Sequence, residues 1–242
     1  MCIRDSSDKC YENRDYVWGY RETDALGGKD PYSASKGCAE IVTRSYYNSF
    51  FSRSDSNVKI VSARAGNVIG GGDWAKDRIL SDCVRAWSKN NSVRIRNPNA
   101  TRPWQHVLES LSGYLLLGQC LYENSEVNGE SFNFGPLSHQ NYTVGELVSE
   151  IQKHWGDAKI EFAKINDGKK EARFLKLCCD KALHVLDWKP TLQFSESVAF
   201  TVDWYKNFYS GKEDVFKMTT NQIKQYVDLA SQRKQSWVNV RD

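Results

Sequence analysis

The stretch from Pro31 to Gly72 most constrains what this chain can fold into. Pro31 suits the first turn of a helix, where its missing N–H costs nothing. From Lys36 to Phe51, Ala39, Ile41, Val42, Tyr46 and Phe50 recur at helical spacing and make one apolar face. Val58 to Arg64 follows, β-branched and alternating, and reads as a strand of about seven residues. Four glycines then fall within the seven residues Gly66 to Gly72. Glycine in such density marks a loop where backbone comes close to something. A helix feeding a strand that ends in such a loop is an α/β unit.

The rest of the chain fits around that unit. Asp77 to Lys89 predicts an amphipathic helix with Ile79, Leu80, Cys83, Val84 and Trp87 inward. Ser92 to Arg96 predicts a short strand with two exposed arginines. Helices are expected over Glu109 to Glu123, Cys179 to Leu186, Ser195 to Tyr209 and Thr220 to Gln232. Thr143-Val144-Gly145-Glu146 is a capping box opening a helix that runs to Trp155. Ser131 to Pro136 and Lys159 to Ala163 read as strands, and Tyr11 to Lys29 as a loop over a site. The order is α/β up to roughly Gly70 and mixed α+β beyond. Met1 to Asp5, short and carrying two charges, is a poor parallel strand. It reads as a junction before the native sequence.

Composition excludes several classes. With 40% hydrophobic and 26% charged residues in 242, the chain is globular and not disordered. A net charge of +3, evenly spread, gives no nucleic-acid footprint. No apolar run approaches a membrane span, and Met1 to Asp5 has no signal-peptide core. Seven cysteines without C-x-x-C spacing suggest reduced thiols and a cytoplasmic setting. The four scattered histidines argue against a zinc site.

Chemistry concentrates in two places. Tyr32 and Lys36 stand four apart at a helix start, so they share one face. An ammonium beside a phenol favours the phenolate and makes it a usable base toward an alcohol. Alone this spacing says little; its helix–strand context gives it weight. Ser7-Asp8-Lys9 adds a hydroxyl, a carboxylate and an amine 25 residues before Tyr32.

The residues Ser7-Asp8-Lys9-Cys10-Tyr11, Asp30-Pro31-Tyr32-Ser33-Ala34-Ser35-Lys36-Gly37 and Arg64-Ala65-Gly66-Asn67 resemble the extended short-chain dehydrogenase/reductases. Lys9, Gly70-Gly71-Gly72-Asp73-Trp74-Ala75, Arg102-Pro103-Trp104-Gln105-His106-Val107 and Leu186-Asp187-Trp188-Lys189-Pro190 narrow the resemblance to the CDP-glucose 4,6-dehydratases. Lys9 discriminates because most sugar-nucleotide 4,6-dehydratases carry Glu there. The family's glycine-rich βα turn, which binds the NAD pyrophosphate, has no counterpart in this sequence. The chain therefore reads as the later part of a larger, N-terminally truncated enzyme, and on its own is expected to bind NAD poorly.

The resemblance implies the C-terminal part of a Rossmann-like doubly wound parallel sheet plus a smaller mixed α+β substrate-binding domain. Residues 1–72, with 102–136 returning, would be the remaining half of the NAD-binding domain; 73–242 would be mostly the sugar-nucleotide domain. The implied reaction is NAD-dependent dehydration of CDP-glucose to CDP-4-keto-6-deoxyglucose. Tyr32 takes the 4-hydroxyl proton, Lys36 holds the nicotinamide ribose, and Ser7 hydrogen-bonds the same oxygen. Asp8 is the candidate acid for the departing 6-hydroxyl, or else a helix cap or surface ion pair. Lys9 is either the C5 base or a group that orients water or substrate. Arg64 is grouped with the cofactor-binding residues. Asn67, Arg78, Arg102, Glu171 and Arg173 are the expected substrate contacts. Trp18, Trp74 and Trp104 are stacking candidates or core. The family commonly dimerises through the Tyr-x-x-x-Lys helix. A related epimerase or another nucleotide-sugar dehydratase, and a non-catalytic fragment that only pairs with another subunit, remain as alternatives.

Overall fold

The computed structural model describes residues 1–53, 55–123, 125–162 and 174–238. A three-stranded parallel sheet organises the first part. Strand β1 (Cys2–Ser7) pairs with β2 (Ile60–Ala65) along its whole length, from Cys2 opposite Ile60 to Ser7 opposite Ala65. Helix α1 (Pro31–Tyr46) connects them and continues as one wider turn to Phe51. On the other side of β2 lies β7 (Ser131–Phe134). The chain reaches it through β3 (Val68–Ile69), α2 (Ile79–Trp87), β4 (Val93–Ile95), β5 (Thr101–Arg102), β6 (Gln105–His106) and α3 (Val107–Glu123). After β7 come β8 (Tyr142–Thr143), α4 (Val144–Trp155), β9 (Ile160–Phe162), α5 (Asp180–Leu186), α6 (Phe194–Ser210) and α7 (Val215–Gln232).

Strand β1 corrects the reading of Met1 to Asp5 as too charged and too short for a parallel strand. Its two charges are satisfied laterally. Arg4 donates to the Ala39 carbonyl and the Thr43 hydroxyl of α1, at 3.5 and 3.4 Å. Asp5 accepts the Tyr114 hydroxyl of α3 at 2.9 Å, and Ile3 packs on the apolar cluster beneath. As an edge strand, β1 needs no continuous apolar run.

Three apolar clusters hold the molecule. The first joins α2, α4 and α6 around Trp87, Leu147, Val198 and Trp204. The second lies between the sheet, α3 and α5, around Val61, Phe132, Phe134 and Trp188. The third, with Tyr11, Tyr20 and Leu177, pins the loop that follows β1. The paired strands β4 and β9, parallel, carry Val93 and Ile95 inward and leave Arg94 and Arg96 exposed. The capping box at Thr143 forms as expected, with reciprocal bonds to Glu146.

Helix α1 is unusual. Its buried positions are Ser33, Gly37 and Glu40, while Ile41, Val42 and Tyr46 are exposed, as is Phe50 just beyond it. The apolar face seen in the sequence is real, but it points outward.

Candidate active site

The turn after β1 holds the first group of residues. Ser7 ends the strand in extended backbone and caps a single 3-10 turn, Asp8–Cys10. Its hydroxyl accepts the Lys9 N–H at 3.2 Å and donates to Asp8 Oδ1 at 3.1 Å. Asp8 is 2% exposed, and its Oδ2 has no hydrogen-bond partner. Burial pushes its carboxyl above the usual carboxylate range; Lys9, the Ser7 hydroxyl and Arg102 pull it back only part of the way. A carboxyl in that state keeps its proton to higher pH and can donate it.

Helix α1 brings the second group to this turn. Asp30 caps the helix by accepting the Ser33 N–H at 3.0 Å, and Pro31 sits in the first turn. Gly37 lets the helix lie against the turn, because a Cβ there would stand 2.9 Å from the Gly27 nitrogen and 3.2 Å from the Cys10 carbonyl. The helix that carries Tyr32 and Lys36 therefore lies against Asp8–Cys10, and the two side chains stand together, the ammonium 5.3 Å from the phenol ring centre. Tyr32 is 54% exposed, open to a ligand.

The third group comes from the end of β2. Asn67 takes a positive φ of 37°, a conformation Asn tolerates better than most residues. Gly66 packs on Asp8: a Cβ there would lie 2.4 Å from Oδ2. Gln105, 2% exposed, donates from Nε2 to the carbonyls of Gly66 and Phe134 at 3.2 and 2.8 Å. It ties the ends of β2 and β7 together under the turn. Sequence reasoning missed both residues as site builders, although each lies inside a quoted motif.

A cavity of about 210 Å³ opens from Asn67 onward; Ser7, Asp8, Lys9, Tyr32 and Lys36 are not among the residues that line it. It is lined by Asn67, Arg78 and Arg102, three of the expected substrate contacts, and by Arg94, Arg96 and Trp104. Arg78 is the residue before the first turn of α2, with no side-chain cap there. Arg102 is 6% exposed and donates to the Thr101 carbonyl at 2.7 Å; its charge also reaches Asp8. Asp73, Asp77 and Asp82 also line the cavity, and Asp77 pairs with Arg96 at 3.4 Å. Four guanidinium groups against three carboxylates, at a helix start, suit an anionic ligand. Arg94 and Arg96 were noted in the sequence only as exposed. Alternation along β4 puts both on one face, and that was the available signal.

Other expectations fall elsewhere. Arg64 is not free to meet a cofactor. Its side chain is 4% exposed and its N–H groups are spent on Glu40, Tyr11, Glu22 and Ser131. Glu171 and Arg173, the remaining expected substrate contacts, lie outside the described residues. Trp104 lines the cavity; Trp18 stacks on Tyr16, and Trp74 packs against Trp204, Tyr205, Phe208 and Tyr209. Among the described residues no His/Cys/Asp/Glu group could hold a metal ion, and no helix is long and apolar enough to cross a membrane.

The family model described as GDP-mannose 4,6 dehydratase matches residues 2–201. A CDP-glucose 4,6-dehydratase of Salmonella typhimurium is 44% identical over 229 residues, covering 93% of this chain and 64% of that protein. The chain thus spans less than two thirds of that relative. Among solved structures, dTDP-glucose 4,6-dehydratase from Bacillus anthracis in complex with NAD superposes with a TM-score of 0.70 at 21% identity, covering 85% of this chain and 61% of the other. UDP-glucuronic acid 4-epimerase from Bacillus cereus gives 0.71 at 20% identity, covering 86% and 62%. These likenesses show the Rossmann-like α/β fold. With its parallel sheet, its acid-bearing turn and its Tyr–Lys helix, the chain belongs to the GDP-mannose 4,6-dehydratase family.

Proposed function

We propose that this chain carries the catalytic residues of an NAD-dependent sugar-nucleotide 4,6-dehydratase acting on CDP-glucose. The observation that carries the reading is Asp8, a buried carboxyl with one oxygen unpartnered and its proton held by burial, next to the Tyr32–Lys36 helix. Oxidation of an alcohol needs only the Tyr–Lys pair. Loss of water needs an acid for the departing hydroxyl as well, and Asp8 fits that task.

Tyr32 accepts the proton of the sugar 4-hydroxyl, with the Lys36 ammonium beside its ring. Ser7 assists at the same oxygen by turning its hydroxyl from Asp8 toward the substrate. Once C4 is a ketone, the C5 proton is acidic; Lys9 is the candidate base. Asp8 protonates the leaving 6-hydroxyl, and water departs to leave a 4-keto-5,6-alkene, which becomes the CDP-4-keto-6-deoxyglucose once C6 receives the hydride taken from C4 and C5 regains a proton. A bound NAD would supply the hydride acceptor for C4 and, once reduced, the hydride donor for C6. Tyr32, exposed, and Lys36, half-buried beside it, fit its ribose, but the sequence offers no glycine-rich cradle for its pyrophosphate. Arg102, Arg78 and Asn67 hold the diphosphate-sugar region, with Arg94 and Arg96 adding charge.

The outward apolar face of α1 supports a homodimer built on that helix, since exposed apolar stripes of this size mark contact surfaces. Residues 1–72 with 102–136 form the cofactor side, and 73–242 mostly the sugar-nucleotide side. A cytoplasmic role in making deoxysugars for lipopolysaccharide follows from the same reading.

The test is direct. The chain, alone and joined to any coding sequence that precedes it, is titrated with NAD⁺ by calorimetry and incubated with CDP-glucose. A base-absorbing 4-keto product supports the reading. Product from another nucleotide sugar in place of CDP-glucose, or a C4 epimer without loss of water, refutes it.

A further inference from the structure

Helix α1 carries Tyr32 and Lys36, yet none of the three apolar clusters includes any of its residues. Its inward face is Ser33, Gly37 and Glu40. Beneath it lies a cavity of about 500 Å³, lined among others by Glu40, Arg44, Ser62, Arg64 and Ser131. Apolar packing therefore does not set where this helix sits along most of its length. Two polar links join it to the sheet: Arg4 of β1 reaches the Ala39 carbonyl and the Thr43 hydroxyl, part-buried and long at 3.5 and 3.4 Å, and a shorter, fully buried pair spans the gap to β2. Glu40 Oε2 accepts two N–H groups of Arg64, from Nε at 3.0 Å and Nη2 at 2.6 Å. Their side chains are 2% and 4% exposed.

Arg64 has five N–H donors, and all five are used. Beyond the two on Glu40, Nη1 donates to the Tyr11 hydroxyl at 2.8 Å and the Glu22 carbonyl at 3.2 Å, and Nη2 to the Ser131 hydroxyl at 3.1 Å. Tyr11 passes its own proton to Asn133 Oδ1 at 2.7 Å. One guanidinium thus ties α1 to β2, to β7 and to the loop that continues from the Asp8 turn. Arg64 also sits opposite Ser6 in the β1–β2 register, one residue from Ser7. Glu40 lies one helical turn beyond Lys36 and two beyond Tyr32. A planar fork holding one carboxylate through two bonds fixes direction as well as distance.

We propose that Glu40 and Arg64 are positioning residues: their buried link sets α1 on the sheet and so places Tyr32 and Lys36 against the Ser7–Lys9 turn. The proposal rests on the dehydratase reading of that site. It replaces the expectation that Arg64 touches the cofactor. Lysine cannot substitute for Arg64, because three donors on a point charge cannot reach four partners. Glutamine at position 40 keeps a carbonyl acceptor for Arg64 and loses only charge.

Hydrogen exchange and kinetics test it together. Exchange is followed in residues 31–46 and, as a remote control, in α4, for the wild type and for Glu40→Ala, Glu40→Gln and Arg64→Lys. Glu40→Ala is expected to speed exchange in α1 by about tenfold or more while α4 changes less than about twofold. Turnover of CDP-glucose is expected to fall about tenfold or more in kcat with KM nearly unchanged, and Glu40→Gln to recover part of it. Equal acceleration in α1 and α4 overturns the proposal, since the pair then only stabilises the whole fold. A loosened α1 with unchanged kcat overturns it as well. If Glu40→Ala does not fold, Arg64→Lys gives the same comparison. Turnover is measured on the chain joined to any coding sequence that precedes it; its absence there in the wild type refutes the dehydratase reading instead, and the exchange data still decide whether the pair anchors α1.

Discussion

Replacing Gly66 by alanine tests whether the placement of Asp8 matters. The new Cβ would lie 2.4 Å from Asp8 Oδ2 and 2.8 Å from its Cγ. Ordinary contact between such atoms is about 3.5 Å, so one partner must yield by about 1 Å. Gly66 cannot easily move, because Gln105 holds its carbonyl and β2 lies directly before it. Asp8 is on the shorter tether and swings away. A misplacement of about 1 Å at a reacting group costs on the order of 10²-fold in rate. Overpacking also costs about 1–3 kcal/mol of stability. Steady-state kinetics on CDP-glucose, with thermal unfolding alongside, separate the two effects. The expected result is a fall of about 10²-fold in kcat, with KM within about threefold and a chain still folded at the assay temperature. A Gly66→Ala protein that unfolds cooperatively and turns over at the wild-type rate would refute the role given to Asp8.

Four further outcomes are expected. Tyr32→Phe should leave folding intact and lower kcat by about 10²–10⁴-fold, the usual worth of a positioned acid–base group; a smaller fall in single-turnover assays counts against its role. Glu109, 1% exposed, accepts the N–H groups of Thr191 and Leu192 and the Tyr226 hydroxyl; Glu109→Ala strands these donors and should cost about 3–5 kcal/mol by urea unfolding. Burial, opposed by those same donors, raises the Glu109 carboxyl from 4.5 to about 7. Its stabilising contribution is thus full below about pH 4.5 and lost as pH rises through 7, on the order of 3 kcal/mol in all; the stability difference between wild type and Glu109→Gln should change across that window and flatten above it. Val42→Glu on the outward face of α1 should shift a dimer to monomer in analytical ultracentrifugation without lowering the melting temperature of the monomer; an unchanged mass would remove α1 from the interface.

Local signals in the sequence carried far. The capping box at Thr143 opens α4, and the alternation at Ser92 to Arg96 gives β4 with both arginines outward. Each depends only on neighbours in the chain. Misreadings came where partners are distant in sequence. Met1 to Asp5 looked too charged for a strand because Thr43 and Tyr114, which satisfy Arg4 and Asp5, lie 39 and 109 residues away. The apolar stripe of α1 was visible, but periodicity does not say which face a helix buries. Glu40 at helical spacing from Ser33 and Gly37 marked a polar inner face, and that signal was in the sequence. At the candidate site, Asn67, Arg78 and Arg102 do line one cavity, although 35 residues separate the first from the last. Arg64 belonged to the same motif as Asn67, but alternation along β2 turns neighbouring side chains to opposite faces. Motif membership therefore placed Arg64 near the site without putting its guanidinium in it.

The central claim is that these residues dehydrate CDP-glucose, and one measurement addresses it most directly. CDP-glucose deuterated at C4 is incubated with the protein and NAD⁺, and the product is examined by mass spectrometry and NMR. The account predicts a 4-keto-6-deoxy sugar that is lighter by one water and carries the deuterium at C6. Deuterium retained at C4 in an epimerised sugar of unchanged composition would contradict it.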